Sequence, residues 1–335
     1  MIRRLRVGIV AGGPSSEHEI SCISAGGIRS AIDRTKYEPI LIGITKSGAW
    51  VLPDQEMPLS IIDGVMPVIS DSFPSTAALG AELNVDVLFP ALHGAYGEDG
   101  TFQRECDAAG IRYVASGAAA SELAMDKSES KKAFAQVGLK VAAGIDVFDD
   151  GDVDVSSLGL PLFVKPARGG SSRGTTKVKN LAELKPAIQE ALHFDTKVMI
   201  ESAVVGREIE CAVLQREGEL LASPVGEIRI LGNHEFYDFE AKYLDDSTEL
   251  VTPVELPAGV EAEIQSQAKI AFAAIGCAGL ARVDFFYTQS GDIVINEINT
   301  MPGFTTTSVY PKLMSAAGIG YTELISALID SALAK

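Results

Sequence analysis

A chain of 335 residues with 47% hydrophobic content holds enough apolar material for two or three cores. Its formal net charge of −17 argues against nucleic acid or anionic membrane as partners, since both select basic surface, so anionic small ligands would have to be met by locally placed lysines. Four scattered cysteines (Cys22, Cys106, Cys211, Cys277) suggest neither a zinc site nor a disulfide framework, and no run approaches the ~18 apolar residues of a membrane helix, which fits a cytoplasmic protein with buried thiols.

Arg6–Ala11 reads as a short buried strand that ends in Gly12-Gly13-Pro14-Ser15-Ser16, with a helix over Glu17–Ile32. Ser16 and Glu19 fit a capping box, which makes Glu17 the first helical residue. A strand, a glycine turn and a helix start form a ready carboxylate or phosphate site. Glu17 also has an ordinary explanation, an acid complementing the helix dipole. The spacing is not GxGxxG, so a dinucleotide fold does not follow. Tyr37–Thr45 and Val85–Ala91 repeat the buried-strand pattern, and a helix at Thr101–Ala109 completes the alternation of a doubly wound parallel sheet. His93 and Glu98 then lie in a glycine-rich loop at a strand's C-terminal end, where such sheets place ligands.

Met125–Gly138 is an amphipathic helix closed by a glycine, and it opens a second domain. Lys127 on it would ordinarily be a solvated surface lysine. The strand Leu162–Lys165 is followed by Pro166–Gly174; its lysine precedes the glycines, so this is not a P-loop, although such a loop can still fold N–H groups over phosphates. A strand at Val198–Glu201 and a linker lead to a third domain from Glu208, with strands at Glu208–Leu214 and Leu220–Val225. Residues 232–252 have neither period and read as a long functional excursion. Helices at Ala262–Ile275 and Tyr321–Leu333 follow.

Between those helices, Leu280–Tyr287 and Ile293–Asn299 flank a polar turn and form an antiparallel hairpin. A loop centred on Ser290-Gly291 pairs Asp284 with Glu297 and Arg282 with Asn299, all on one face. Two facing carboxylates repel unless a cation intervenes, and carboxylates with an amide suit Mg²⁺. The alternative is a charged, solvated face of a surface hairpin. Thr300–Ser308 then leaves the hairpin as a loop of glycine and small hydroxyl residues suited to close ligand approach.

Taken in order, Gly12–Glu19, His93–Gly100, Met125–Lys127, Lys165–Ser172, Glu240–Tyr243, Arg282–Asp284 and Asn296–Gly303 resemble the D-alanine:D-alanine ligase family of the ATP-grasp superfamily over nearly the whole chain. The resemblance implies an α/β, three-domain ATP-grasp architecture in which the N-terminal doubly wound sheet is followed by two α+β domains that grip ATP. The domains would be 1–122 for substrate, 123–206 with the glycine-serine loop, and 207–335 with the metal site and the loop 232–252. It also implies two Mg²⁺ (or Mn²⁺) ions, D-alanine as substrate, an acyl-phosphate intermediate, a role in peptidoglycan synthesis and a homodimer. Asp284, Glu297 and Asn299 become metal ligands, and Arg282 the guanidinium that stabilises the tetrahedral intermediate. Lys127, Lys165 and Lys242 fall on phosphate-binding lysines, Glu201 beside the adenine and Glu208 at the ribose. Glu17 would hold the first D-alanine's ammonium and Ser308 the second substrate's carboxylate, with His93 and Gly303 also in the substrate subsites. Ser171 and Tyr243 would reach Glu17 by hydrogen bonds.

Ser202-Ala203 departs from the charged or bulkier residue many relatives carry beside the adenine. Lys242-Tyr243 favours a dipeptide product over a depsipeptide, because a neutral phenol offers no charge to repel an incoming ammonium. The other readings are a D-alanine:D-lactate or D-serine ligase and a non-catalytic ATP-grasp-like protein. The last would be expected to lack a metal ligand.

Overall fold

A computed structural model describes residues 3–75, 83–231 and 248–334. Three sheets follow one another along the chain. The first is built from β1 (Leu5–Gly12), β2 (Tyr37–Ile44), β3 (Trp50–Val51) and β4 (Val87–Pro90), in the order β3-β2-β1-β4, with α1 (His18–Ala31) joining β1 to β2. β1 lies parallel to both β2 and β4. Val7, Ile9, Val10 and Ala11 are all buried, as expected of a strand covered on both faces. This is the doubly wound sheet that the alternation of strands and helices predicts.

The capping box is not formed. α1 begins at His18, and no side chain caps it. Ser15, rather than Ser16, organises the turn: its Oγ accepts from the Glu17 N–H at 3.2 Å and donates to the His93 carbonyl at 2.6 Å. That bond fastens the β1–α1 turn to the loop after β4, so the two glycine-rich segments face one another.

After α2 (Thr101–Ala109) comes α3 (Ala118–Met125), and the helix expected from Met125 begins two residues later as α4 (Lys127–Gln136). Asp126 makes the break, with extended backbone and a side chain that accepts from the Ser128 and Glu129 N–H groups, a sound N-cap. Gly138 closes α4 with φ 84°.

The second sheet contains β5 (Gly144–Val147), β6 (Leu162–Pro166), β7 (Thr176–Val178) and β8 (Val198–Ser202) in the order β5-β8-β6-β7, covered by α5 (Leu184–Leu192). It has a small core of its own, in which Leu162, Val164, Val198 and Ile200 meet Ala187, Ile188 and Ala191. The glycine-serine loop joins β6 to β7.

The third sheet contains β9 (Gly206–Arg216), β10 (Glu219–Ala222), β11 (Gly226–Ile230), β12 (Thr248–Val251), β13 (Leu280–Thr288) and β14 (Ile293–Asn299), with α6 (Val260–Ile275) preceding β13. Its order is β12-β11-β9-β13-β14, and β10 pairs with β9. One face packs Cys211 and Val213 against α6 and against Phe134 and Leu139. The other face supplies Ala212 and Leu214 to the core of the first sheet. α7 (Val309–Ala316) and α8 (Tyr321–Leu333) complete that shared core with Tyr310, Leu313, Leu324 and Leu328.

The hairpin of β13 and β14 reaches the expected pairing by an unexpected route. Arg282 faces Asn299 and Asp284 faces Glu297. Nearer the turn, however, Tyr287 to Phe285 pair with Ile293 to Ile295, so the loop is centred on Ser290 alone. A bulge at Asn296 then adds one residue to β14 and brings Glu297 opposite Asp284. The Ile295 N–H is meanwhile taken by the Lys140 carbonyl at 2.9 Å, which ties β14 at that point to the segment after α4.

All four cysteines are buried and free. Among the described residues no helix is long and apolar enough to cross a membrane.

Candidate active site

Every candidate residue among the described ones lines a single cleft of about 640 Å³ between the three sheets. Lys242 and Tyr243 lie outside the described residues, as does most of the excursion that carries them.

The floor of the cleft is a row of acids. β13 places Asp284 opposite Glu297 of β14 on one side and opposite Glu210 of β9 on the other. Arg282, two residues along β13 and therefore on the same face, gives Asp284 a two-pronged ion pair at 2.8 and 2.7 Å and meets Glu210 at 3.1 Å. Lys127 reaches Glu297 from α4 at 3.2 Å, and the Asn299 amide donates to Asp284 at 3.0 Å. Among the described residues, these three carboxylates face two cations, one negative charge more than positive. Among the described residues no three His, Cys, Asp or Glu side chains converge to form a cation cage. The candidate set is two carboxylates and an amide, which fits Mg²⁺, an ion that keeps several waters and takes one or two protein carboxylates beside substrate phosphates.

The end nearest the first sheet is held by Glu17, which is 6% exposed at the start of α1 and accepts a 2.7 Å hydrogen bond from Ser171 Oγ. The glycine-serine loop thus reaches across to the first sheet, with Ser171 itself in the left-handed region at φ 52°. Gly94 suits its place: its φ is +74°, where other residues are strained, and a Cβ there would lie 2.7 Å from the Glu17 carboxylate and displace it. His93 is buried, its Nε2 sharing a hydrogen bond with Ser24 at 2.9 Å. Burial lowers its pKa, against the pull of the Glu17 charge and of the Met301 backbone. In the loop after β14, which packs against α1 at Gly27, Ser308 begins α7, where its Oγ accepts from the Thr305 N–H at 3.0 Å. Gly303 packs beside it, since a Cβ there would come within 3.0 Å of Ser308 Oγ. Lys312, one helical turn on, also lines the cleft.

Glu98, which the sequence placed only in a ligand-bearing loop, accepts from the Gly94 N–H at 2.8 Å. Burial, with the Glu17 charge second, pushes its carboxyl up to about 8. The folded protein therefore retains a proton that the unfolded chain gives up near 4.5, and stability falls as pH rises between those two values. Glu98→Gln is expected to remove that slope: its melting temperature should gain on wild type by about 3 °C between pH 5 and pH 8, then hold level. Parallel thermal-unfolding curves of the two proteins over that range would refute the assignment.

The third group is basic. Lys127 donates to the Gly169 carbonyl at 2.7 Å, fastening the glycine-serine loop to α4. Lys165 meets Glu201 Oε1 at 2.6 Å, and Lys131 takes Oε2 of the same carboxylate. Burial opposes the ionisation of Glu201, but the two lysines together outweigh it and hold its carboxyl at about 2. Lys131 is pushed down to about 8, chiefly by burial and partly by the Lys165 charge, against the attraction of Glu201. Glu208 lies further along the same wall.

Lys131 and Glu210 are absent from the set read off the sequence. Both carry a signal: Lys131 stands one helical turn after Lys127, and Glu210 two residues after Glu208 on a strand, so each shares a face with a candidate residue.

Residues 6–116 match the family model described as "D-ala D-ala ligase N-terminus", and residues 153–330 match "D-ala D-ala ligase C-terminus". A D-alanine–D-alanine ligase of Mycolicibacterium smegmatis is 47% identical over 99% of this chain and 96% of its own length. Among solved structures, the VanG D-Ala:D-Ser ligase from Enterococcus faecalis superposes with a TM-score of 0.83 at 34% identity, covering 98% of this chain and 99% of the other. A D-alanine–D-alanine ligase from Bacillus anthracis complexed with ATP gives 0.77 at 28% identity, over 98% of each chain.

Proposed function

From the premise that the chain belongs to the D-alanine–D-alanine ligase family, with its ATP-grasp fold, we propose how its cleft carries out the family's reaction. That reaction is the ATP-dependent joining of two D-alanines, with release of ADP and phosphate, for peptidoglycan synthesis. The supporting observation is convergence: residues from all three sheets, scattered from Glu17 to Ser308 in sequence, line one cleft.

In this reading Glu17 takes the ammonium of the first D-alanine, and Ser171 fixes the carboxylate that does so. The substrate's carboxylate then lies toward Arg282, and one of its oxygens attacks the γ-phosphorus while the bond to the ADP oxygen breaks. Lys127 and Lys165 receive phosphate charge, with Lys242 as a third lysine from the excursion. Glu201 and Glu208 lie along the adenine and ribose. The second D-alanine sits with its carboxylate at Ser308, against the start of α7 and near Lys312, where helix N–H groups and a lysine favour an anion. Its neutral amine attacks the acyl carbon, Arg282 stabilises the oxyanion, and phosphate leaves with the electrons of the broken C–O bond and takes up the proton that the nitrogen sheds. His93, held neutral by burial, and Gly303 shape the two substrate subsites. Asp284, Glu297 and Asn299 would hold Mg²⁺ or Mn²⁺, which supplies charge neutralisation for the phosphates when bound. No side chain needs to become a nucleophile, so catalysis rests on positioning and electrostatics.

We take the domains as 1–122, 123–206 and 207–335, with α3, α4, α7 and α8 packing between them. The chain is read as a cytoplasmic homodimer; its buried free thiols suit a reducing compartment. Tyr243 from the excursion is assigned the second hydrogen bond to Glu17.

Incubation with ATP, Mg²⁺ and single or paired D- and L-amino acids, followed by mass analysis, tests the reading. D-alanyl-D-alanine, ADP and phosphate are expected, and absence of D-alanine-dependent phosphate release would overturn it. A preference for D-serine is the second reading, prompted by the likeness to VanG. It is less supported than D-alanine, because relatives at 45–47% identity over nearly the whole chain are D-alanine–D-alanine ligases. D-Alanyl-D-serine as the main product from mixed amino acids would establish it.

Glu17→Gln separates the substrate role from the helix-dipole account. Loss of one charged hydrogen bond to the ammonium is expected to raise the KM for D-alanine about 30-fold while the KM for ATP stays within about twofold. A charge at a helix end contributes only ~0.3–1 kcal/mol and leaves substrate kinetics alone. Unchanged D-alanine kinetics with a slightly lower melting temperature would favour that account.

A further inference from the structure

Lys131 stands apart from the residues assigned above: it is buried, it points into the nucleotide end of the cleft, and its direct contact there is with another side chain. It lies one turn after Lys127 on α4, while Lys165 and Glu201 come from the neighbouring strands β6 and β8. β6 and β8 place Glu201 opposite Phe163, so Lys165 is its diagonal neighbour on the same face of the sheet. Each oxygen of the Glu201 carboxylate is therefore taken by a different lysine, and all three side chains are nearly shut off from solvent, with relative exposures of 7%, 11% and 7% for Lys131, Lys165 and Glu201.

The charges of this trio sum to one positive. With Lys131 absent the sum is zero, and among the described residues Lys165 is the cation left in contact with the buried Glu201. A lone buried carboxylate is costly to leave uncompensated, so Lys165 would be held on it. We propose that Lys131 is a positioning residue for the nucleotide phosphates: by neutralising Glu201 it frees Lys165 to turn from that carboxylate to a phosphate oxygen. The proposal rests on the placement of ATP in this cleft.

Isothermal titration of the full chain with ATP, ADP and adenosine tests it, since adenosine fills the base and ribose positions without a phosphate. Wild type should bind ATP and ADP much more tightly than adenosine; if it does not, the nucleotide placement itself fails. Lys131→Met is expected to weaken ATP and ADP by roughly 10- to 100-fold, the loss of one charge-assisted hydrogen bond to phosphate, and adenosine by less than about threefold. Lys131→Arg, which keeps the charge, should stay within about fivefold of wild type for all three ligands. Lys131→Met combined with Glu201→Gln should restore the preference for ATP over adenosine, because the competing carboxylate is gone. A merely structural lysine would lower the melting temperature and leave that preference unchanged, and this result would overturn the proposal. Failure of the double variant to recover the preference would also overturn it, by making Lys131 a direct phosphate ligand. Should Lys131→Met not fold, Glu201→Gln alone decides: the proposal requires its preference for ATP over adenosine to equal or exceed that of wild type, and a reduced preference contradicts it.

Discussion

Glu297→Gln is expected to reduce kcat by about 10³-fold or more at saturating Mg²⁺, because charge stabilisation of the reacting phosphate by a held cation is worth several kcal/mol. The change is nearly isosteric, and Glu297 is only partly buried, so the melting temperature should move by no more than about 2 °C. The size of the effect follows from the row of acids. Arg282 is occupied by Asp284 and Glu210, and Lys127 is the cation that meets Glu297. An amide at position 297 removes one negative charge from that row, together with the attraction that orients Lys127. Steady-state turnover across a Mg²⁺ titration is the measurement. Near wild-type kcat at high Mg²⁺ would remove Glu297 from the set of ligands.

Arg282→Lys is expected to cost about 10²- to 10³-fold in kcat, the usual loss when one donor to a developing oxyanion is removed, with KM values for ATP and D-alanine little altered. Lysine keeps the charge but cannot reproduce the fork that gives Asp284 two bonds and Glu210 a third. A point charge on a flexible stem would settle on one of the two carboxylates and lose its aim at the acyl carbon. Rapid-quench measurement of a single turnover would locate the loss in the chemical steps. An unchanged kcat would make Arg282 a counter-ion only.

The long, strongly patterned elements were legible in the sequence, and so was the pairing at the acidic face. The hairpin shows why such success is conditional. The predicted loop centre was displaced by half a residue, and the bulge at Asn296 cancelled the error at the two pairs that matter. Nothing in the local sequence announces that bulge, because it depends on the Lys140 carbonyl arriving from elsewhere to take the Ile295 N–H. The absent capping box has the same kind of cause: the His93 carbonyl, distant in sequence, recruits Ser15. Short strands such as β3, β5 and β7 carry too few residues for a period to show. Lys131 is not legible in the sequence, because a lysine in the middle of a polar helix is solvated by default, whereas here it is buried and meets Glu201 of β8. The contact of Ser171 with Glu17, by contrast, was anticipated from family resemblance and is present.

The shared core of the first and third sheets bears on how the protein comes into being. Val7 and Leu88 belong to the same buried cluster as Leu324 and Leu328, so the earliest strands cannot complete their packing until residues 309–332 have been synthesised. During translation that apolar surface must wait through the production of most of the chain, whereas the second sheet, whose core spans only residues 155–200, can close soon after it leaves the ribosome. The second sheet is thus poised to fold first, while the apolar surface of the first strands waits for the C-terminal helices that cover it.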